Sequence, residues 1–320
     1  MTNNRQFDCI VCGEICVDLP IRPIDQHKPL SGRVMVRVDP IQPGGGGIVA
    51  NSGGALGRLE SRVAACGFVG DDAWADVLIA VLSREGVDTT HLLRHPESPT
   101  SATAVLVGDD GEHTFAFHSG ASRRLDRAAL LTRLDLFAQA KFALFGYYGL
   151  MPELERDLPA VLRQIQATGC RTALDAAGDG GSLQPLDQIL PFLDIYVPSY
   201  AEAKSQTGES DAREMIQTFR QYATTALLGI KLGAQGALLS PSDGEWIEIQ
   251  PVEPPGPIVD TTGAGDCFYA GLIAGLARGL SIDDSGRLAA AAGASSITVV
   301  GAITGLRGFN ATCELAGLSG

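Results

Sequence analysis

The chain lacks any apolar run of the roughly 20 residues that a membrane-spanning helix requires. Residues 1–6 also lack the apolar core of a secretion signal, so we expect a cytoplasmic protein. Basic residues are scarce, since 24 Lys and Arg stand against 37 Asp and Glu, for a net charge of −13. This charge argues against nucleic acid or an anionic membrane as the main partner.

Cysteine occurs as only seven scattered residues, an odd number, most of them inside apolar runs. Cys9, Cys12 and Cys16 lie close together, but no Cys or His pair follows them at the spacing of a zinc site. We interpret the cysteines as reduced thiols buried in a protein core.

Apolar residues make up 45% of the 320 residues, which is enough for a substantial core in one large domain or two ordinary ones. Strand-like runs occur at 7–12, 141–145, 171–175, 193–197 and 226–231, and helical patterns at 48–59, 71–85, 152–168 and 210–222. This alternation predicts an α/β fold with a doubly wound, mostly parallel sheet flanked by helices.

Two segments interrupt the alternation. Residues 33–39 alternate like a half-exposed strand, and residues 109–111, Asp-Asp-Gly, separate two β-rich arms at 103–107 and 114–118. We therefore expect a small separate antiparallel sheet, with strands contributed by about 15–45 and 100–120.

The run at 259–268, Val-Asp-Thr-Thr-Gly-Ala-Gly-Asp-Cys-Phe, places two glycines and a carboxylate where a loop becomes a helix. Asp266 then lies in the first helical turn, and the N–H groups of residues 263–266 are unpaired donors. Such a helix end binds anions, and a carboxylate within it supplies a base for a hydroxyl that attacks a phosphoryl group. The alternative for this run alone is an ordinary helix entry in which Asp266 favours the dipole.

This run resembles the signature of the ribokinase-like (PfkB) carbohydrate kinase family, and the resemblance covers nearly the whole chain. It implies a single domain of residues 1–320, with the small sheet as a lid over a sugar site and with lids that pair into a homodimer. It also implies that Asp266 is the catalytic base and that the backbone of Gly263, Ala264 and Gly265 forms the anion hole.

Two early segments resemble the sugar-binding motifs of this family. Asp18 comes soon after the first strand. Open α/β sheets bind their ligands beyond the carboxyl ends of their strands. The glycine run at 44–47 opens a helix but is not a P-loop, because no Gly-Lys-Ser/Thr follows it. The resemblance assigns sugar contacts to Asp18, Gly46, Gly47 and Asn51. The alternatives are a solvated loop carboxylate and a flexible glycine loop.

Two later segments match the nucleotide side of the family's site. Ser199 and Glu202 stand where the family has Asn and Glu, a set that orders Mg²⁺ and phosphate through water. The serine is shorter than Asn but still donates a hydrogen bond. Lys231, Gly233 and Gly236 match the nucleotide loop, and the lysine either counters phosphate charge or is a surface lysine at a strand end.

A small-residue helix pattern at 289–296 precedes a turn at 299–302. The resemblance implies that this region covers adenine and that a monovalent cation, K⁺, is held by Asp260, Thr262, Ser296, Val299 and Gly301. Close helix packing is the alternative explanation for the alanines.

These segments together predict phosphorylation of the primary hydroxyl of a monosaccharide by ATP and Mg²⁺. We expect the helix end to lower the pKa of Asp266. Cys16 and Ile48 replace the Asn and Lys of ribokinase proper, and Gly13-Glu14 resembles fructokinase-type members, which favours a fructose-like or keto sugar over ribose. The alternatives are a nucleoside kinase, which the few aromatics near the sugar loops disfavour, and a catalytically weak sugar-sensing protein.

Overall fold

Ten strands form one large sheet in the computed structural model, which describes residues 5–25, 35–108, 113–176 and 181–318. Its strands are β1 (Phe7–Gly13), β4 (Val63–Gly70), β5 (Val87–Asp88), β6 (Leu92–His95), β9 (Ala140–Gly146), β10 (Arg171–Asp175), β11 (Ile195–Tyr196), β12 (Leu227–Lys231), β13 (Ala237–Ser240) and β14 (Ile247–Ile249). The order is β14-β13-β12-β11-β10-β9-β1-β4-β5, and β6 also pairs with β4. All pairings are parallel except those of β13.

Twelve helices cover the sheet within the described residues. They are α1 (Gly47–Arg58), α2 (Ala73–Arg84), α3 (Arg127–Leu131), α4 (Leu134–Phe137), α5 (Pro152–Glu155), α6 (Leu158–Ala167), α7 (Leu183–Ile189), α8 (Tyr200–Thr207), α9 (Ala212–Arg220), α10 (Ala264–Ala277), α11 (Ile282–Ser296) and α12 (Phe309–Leu315). No helix in this part of the chain is long and apolar enough to cross a membrane.

The large sheet is buried on both faces. Alternate residues of β1 enter different cores, because successive side chains of a strand point to opposite sides. Cys9 and Val11 pack with α1, α2, α10 and α11, whereas Ile10 and Cys12 pack with α6 and α9. The predicted fold class, a mostly parallel sheet between helices, is confirmed. All seven cysteines are free and buried, as predicted.

The second sheet has four strands, β2 (Cys16–Ile21), β3 (Gly44–Gly46), β7 (Ser101–Val107) and β8 (His113–His118), in the order β3-β2-β7-β8. We call it the small sheet. Its two outer pairings are antiparallel, as predicted, but β2 and β7 run parallel. Residues 109–112, the tip of the hairpin predicted between β7 and β8, lie outside the described residues.

Two details of the predicted elements are wrong. Residues 35–39 form no strand. Met35 is 89% exposed, and no neighbouring surface among the described residues buries the apolar side of the alternating segment. Residues 33 and 34 of that prediction lie outside the described part. The helix predicted over 152–168 is divided into α5 and α6, because Pro159 stands in the first turn of a new helix.

Candidate active site

Four strands of the large sheet end at the same edge, and each delivers a polar side chain there. Glu14 follows β1, Tyr147 follows β9, and Asp175 and Lys231 are the last residues of β10 and β12. The carboxyl ends of parallel strands are where open α/β sheets bind ligands. The amino-terminal end of α10 approaches the same edge and brings Asp266 to these residues.

Asp266 is only 6% exposed and is surrounded by donors. Asn51 Nδ2 donates to its Oδ2 at 3.1 Å, and Ser52 Oγ donates to its Oδ1 at 3.2 Å. The Tyr147 hydroxyl lies 3.1 Å from Oδ1 and 3.0 Å from Oδ2. Helix α1, which begins at the end of the glycine run, therefore contacts the carboxylate of α10 directly through Asn51 and Ser52.

The pKa of Asp266 is raised to about 7, and the lowered pKa predicted from the sequence is wrong. Burial is the main cause, and the nearby charge of Asp175 adds to it. Lys231, Tyr147 and Asn51 act in the opposite direction but do not outweigh burial. A carboxylate with this pKa is a competent general base near neutral pH.

The turn before α10 presents donors to the same place. Gly263 caps the helix with φ 75°, and an added Cβ would lie 2.5 Å from the Cβ of Ala302. The Ala264 N–H donates to the Thr261 carbonyl at 3.3 Å, so one of the four donors predicted to be unpaired is used. The N–H groups of Gly263, Gly265 and Asp266 have no acceptor among the described residues. Three donors at a positive helix end form an anion site.

Lys231 is buried beside this anion site, so the alternative of a surface lysine is wrong. Its side chain is 11% exposed, its Nζ lies 3.4 Å from Asp175 Oδ2, and a Cβ on Gly265 would lie 3.1 Å from Nζ. Burial opposes the charge, but Asp175, Glu202 and Asp266 raise the pKa of Lys231 nevertheless. A permanent cation therefore stands next to the free donors.

Gly233 and Gly236 form the tight turn after Lys231. They adopt φ 58° and φ 85°, and the Leu232 N–H donates to the Gly236 carbonyl at 2.8 Å. The turn sends the chain back into β13 and fixes the end of β12, where Lys231 lies.

Ser199 and Glu202 form a capping box at the start of α8. The Ser199 N–H donates to Glu202 Oε2 at 2.6 Å, and the Glu202 N–H donates to Ser199 Oγ at 3.3 Å. Glu202 is 5% exposed, and its Oε1 accepts no hydrogen bond from the described residues. One carboxylate oxygen is thus occupied by the helix cap and one is available.

A cavity of about 220 Å³ lies between the small sheet, α1 and the loop after α11, and it is lined by Asp18 and Asn51 among others. Burial raises the pKa of Asp18, whose Oδ1 accepts a hydrogen bond from Cys16 Sγ at 3.3 Å. Gly46 is needed beside it, because a Cβ there would lie 2.2 Å from Asp18 Oδ2. Gly47, with φ 75°, lets α1 begin against the Glu14 carbonyl. Of the four predicted sugar-binding residues, Asp18 and Asn51 line this cavity and Gly46 contacts Asp18, whereas Gly47 contacts the Glu14 backbone.

The predicted cation ligands converge only in part. Asp260 Oδ1 accepts from the Thr262 N–H and Oδ2 from the Gly301 N–H, each at 2.9 Å. Although burial opposes it, these bonds lower the pKa of Asp260. The Ser296 hydroxyl instead donates to the Gly293 carbonyl, and the Val299 side chain is 43% exposed. Within the described residues, no cluster of three or more His, Cys, Asp or Glu could hold a metal.

No role is predicted from the sequence for Ser52, Tyr147 and Asp175, and Glu14 enters there only through its resemblance to fructokinase-type members. Glu14 is buried, its pKa is raised to about 7 by burial, and it accepts a hydrogen bond from Ser122. Ser52 adjoins a predicted residue. The other three stand at strand ends in a predicted parallel sheet, a signal that could have identified them.

Comparison with known proteins identifies the family of this chain. A family model described as pfkB family carbohydrate kinase matches residues 6–307. The chain belongs to the pfkB family of carbohydrate kinases. This carbohydrate kinase is 28% identical to a ribokinase of Haemophilus influenzae over 267 residues, which are 80% of this chain and 82% of that protein.

Other relatives carry different names. A fructokinase of Vibrio alginolyticus is 30% identical over 241 residues, which are 73% of this chain and 76% of that protein. The structure of an Arabidopsis thaliana ribokinase complexed with ribose and ATP superposes on this kinase with a TM-score of 0.83 and 21% identity, covering 97% of this chain and 99% of the other. These likenesses establish a carbohydrate kinase fold and leave the sugar open.

Proposed function

We propose that this kinase transfers the γ-phosphoryl group of ATP to a primary hydroxyl of a monosaccharide. The observation that carries the proposal is the buried carboxylate of Asp266, which accepts hydrogen bonds from Asn51 and Ser52 and whose pKa is raised by burial to about 7. It lies in the same helical turn as the free N–H donors of Gly263 and Gly265. Base and anion site are the two parts that phosphoryl transfer to a hydroxyl requires.

In this mechanism Asp266 accepts the proton of the sugar hydroxyl. The hydroxyl oxygen forms a bond to the γ-phosphorus, and the bond between that phosphorus and the bridging oxygen of ADP breaks. The free N–H groups of the turn offset the charge on the moving phosphoryl group, and Ala264 keeps the turn closed through its bond to Thr261. Lys231 stabilises the phosphates from the β12 side.

Mg²⁺ and a monovalent cation complete the proposal. Mg²⁺ binds through few carboxylates and keeps several waters, which fits Glu202 with its one available oxygen and Ser199 beside it. When bound with ATP, Mg²⁺ neutralises phosphate charge. We propose that K⁺ is held by the ionised Asp260 with Thr262, together with main-chain oxygens of Ser296, Val299 and Gly301. Hard oxygen donors of this kind suit hard cations.

We further propose that a fructose-like or keto sugar is preferred over ribose. Ile48 is completely buried against Gly13 and Gly146. Its aliphatic side chain also has no amine that could bind a sugar hydroxyl. Cys16 donates its only proton to Asp18 instead of presenting an amide.

A coupled assay of ADP release across sugars and nucleosides tests the proposal. We expect release with one hexose or keto sugar at a higher kcat/KM than with ribose. Release with nucleosides alone would replace the proposal with a nucleoside kinase. Tight sugar binding in calorimetry without ADP release would instead indicate a sensing protein.

We also propose that residues 1–320 act as one cytoplasmic domain that pairs into a homodimer through its small sheet, the lid of the sugar site. Phe115 and Phe117 of β8 are 57% and 41% exposed on an edge strand of that sheet. A cluster of exposed aromatic side chains on an edge strand is typical of an interaction surface.

A further inference from the structure

Tyr147 has an unusual backbone. It adopts φ 62°, a left-handed conformation that is costly for an aromatic residue. Its N–H donates to the Asp175 carbonyl at 3.0 Å, and the preceding Gly146 lies under Ile48, where an added Cβ would be 2.5 Å from Cγ1. The chain is thus held in a strained turn directly at the edge of the sheet where Asp266 lies.

The strained turn aims the phenol at Asp266. The hydroxyl lies within 3.1 Å of both carboxylate oxygens. An ionised carboxylate has about four lone-pair sites, and a phenol has one proton, so it donates to one oxygen at a time. With Asn51 on Oδ2 and Ser52 on Oδ1, three donors occupy Asp266 and one lone pair stays available. An incoming hydroxyl can donate there.

A phenol is both donor and acceptor, so its bond to Asp266 survives protonation of the carboxylate. Before proton transfer the Tyr147 O–H donates to the carboxylate, and afterwards the new carboxylic O–H donates to the phenol oxygen. Asn51 can only donate through its Nδ2 and cannot follow this change. Phenylalanine at 147 would keep the ring and remove both bonds.

We propose that Tyr147 is a positioning residue that holds the Asp266 carboxylate ready for the acceptor hydroxyl in both of its protonation states. This inference rests on the proposed role of Asp266 as the base. The strained backbone at 147 is explained on this view, since the turn is what brings the phenol between the two carboxylate oxygens.

The Tyr147 hydroxyl also affects the pH dependence of the reaction through the groups around Asp266. The groups that face Asp266 are Asp175 of β10, Lys231 of β12, Tyr147 after β9 and Cys267 of α10, with Asn51 and Ser52 of α1. The Tyr147 bond lowers the pKa of Asp266 against the effect of burial. Its removal therefore moves the acidic limb of the rate profile to higher pH.

The test compares Tyr147→Phe with Tyr148→Phe. Tyr148 is the next residue, is also buried, and its hydroxyl makes no bond to Asp266, which makes it a matched control. We expect Tyr147→Phe to lower kcat by about tenfold to a hundredfold, the range for a hydrogen bond to a charged group. KM for ATP should be unchanged and the acidic limb should move up. Tyr148→Phe should leave kcat and the position of the acidic limb unchanged.

Tyr147→Gly is the second variant, because glycine adopts positive φ without cost. It also removes a ring that packs on the core, so a thermal melt must first show that this variant is folded. Tyr147→Gly must show the same upward movement of the acidic limb. The inference would be overturned if Tyr147→Phe and Tyr147→Gly both had the same kcat and the same acidic limb of the pH–rate profile as the Tyr148→Phe control. If Asp266→Asn itself retained turnover, the proposed base would fail instead, so the two failures are distinguishable.

Discussion

A single carboxylate, Asp266, is under two opposing influences. Its place in the first turn of α10 favours the ionised form, whereas burial and the charge of Asp175 favour the neutral form. Burial wins, and the pKa rises to about 7. The sequence shows the helix end but not the burial, because the surrounding groups come from strands far apart in the chain.

The raised pKa predicts the pH dependence of the wild-type kinase. Asp266 acts as a base only when ionised, and below about pH 7 the protonated form increases. We expect kcat/KM for the sugar to fall about tenfold per pH unit below that value. Initial rates from pH 5 to pH 9 in the coupled assay measure this. A profile flat down to pH 5 would contradict the assigned pKa.

Lys231 is predicted to act on both substrate and base. Replacing it with Met removes the cation beside Gly265 and the attraction that lowers the pKa of Asp266. We expect kcat/KM for ATP to fall about tenfold to a hundredfold and the acidic limb to move to higher pH. Lys204→Met, at an exposed position of α8, is the control. Equal kinetics in the two variants would exclude the phosphate role.

At the scale of elements, the turn before α10 tolerates only glycine at 263. In Gly263→Ala the new Cβ would clash with Ala302, so the turn must shift and the free N–H groups with it. We expect a loss of kcat of at least about a hundredfold, since removal of one such donor already costs that much. Gly279→Ala is the matched control at the other end of α10, where φ is 82° and nothing lies within 4 Å.

Both variants carry the backbone strain of a positive φ, about 1–2 kcal/mol. Only the first disturbs the anion site. Circular dichroism and thermal melting establish that each variant is folded. Full activity in Gly263→Ala would show that the position of the turn does not matter for catalysis.

The large parallel sheet, its helices and the signature helix could be predicted from the sequence because each has a strong local pattern. β1 is apolar apart from Asp8 and its final glycine, and α1 and α10 follow glycine turns. The segment at 33–39 shows the limit of such patterns, because alternation predicts a strand only where a partner sheet buries one face. Tyr147 shows a second limit of sequence patterns. Its proposed role depends on a left-handed backbone conformation that the local sequence does not predict.

At the scale of the whole molecule, a net charge of −13 accompanies a site that must bind polyphosphate. Local groups favour phosphate binding despite this charge, because Lys231 and three N–H donors lie at one helix end. Interactions at contact distance outweigh the distant surface charge, which salt screens beyond about 8–10 Å.

The proposed homodimer is also tested at this scale. We expect light scattering on a size-exclusion column to give twice the chain mass of 33.4 kDa. Phe117→Asp, which places a charge on the small sheet, should give the monomer mass, whereas Leu150→Asp, at a residue 44% exposed outside that sheet, should remain dimeric. A monomeric wild-type protein would contradict the proposed pairing.

The measurement that bears most directly on the account is the kcat of Asp266→Asn with the preferred sugar at pH 8. Asparagine keeps the shape of the side chain but cannot accept the hydroxyl proton. We expect a loss of about 10²- to 10⁴-fold, the usual contribution of general-base catalysis, with sugar binding retained in calorimetry. A kcat within a few-fold of the wild type would contradict it.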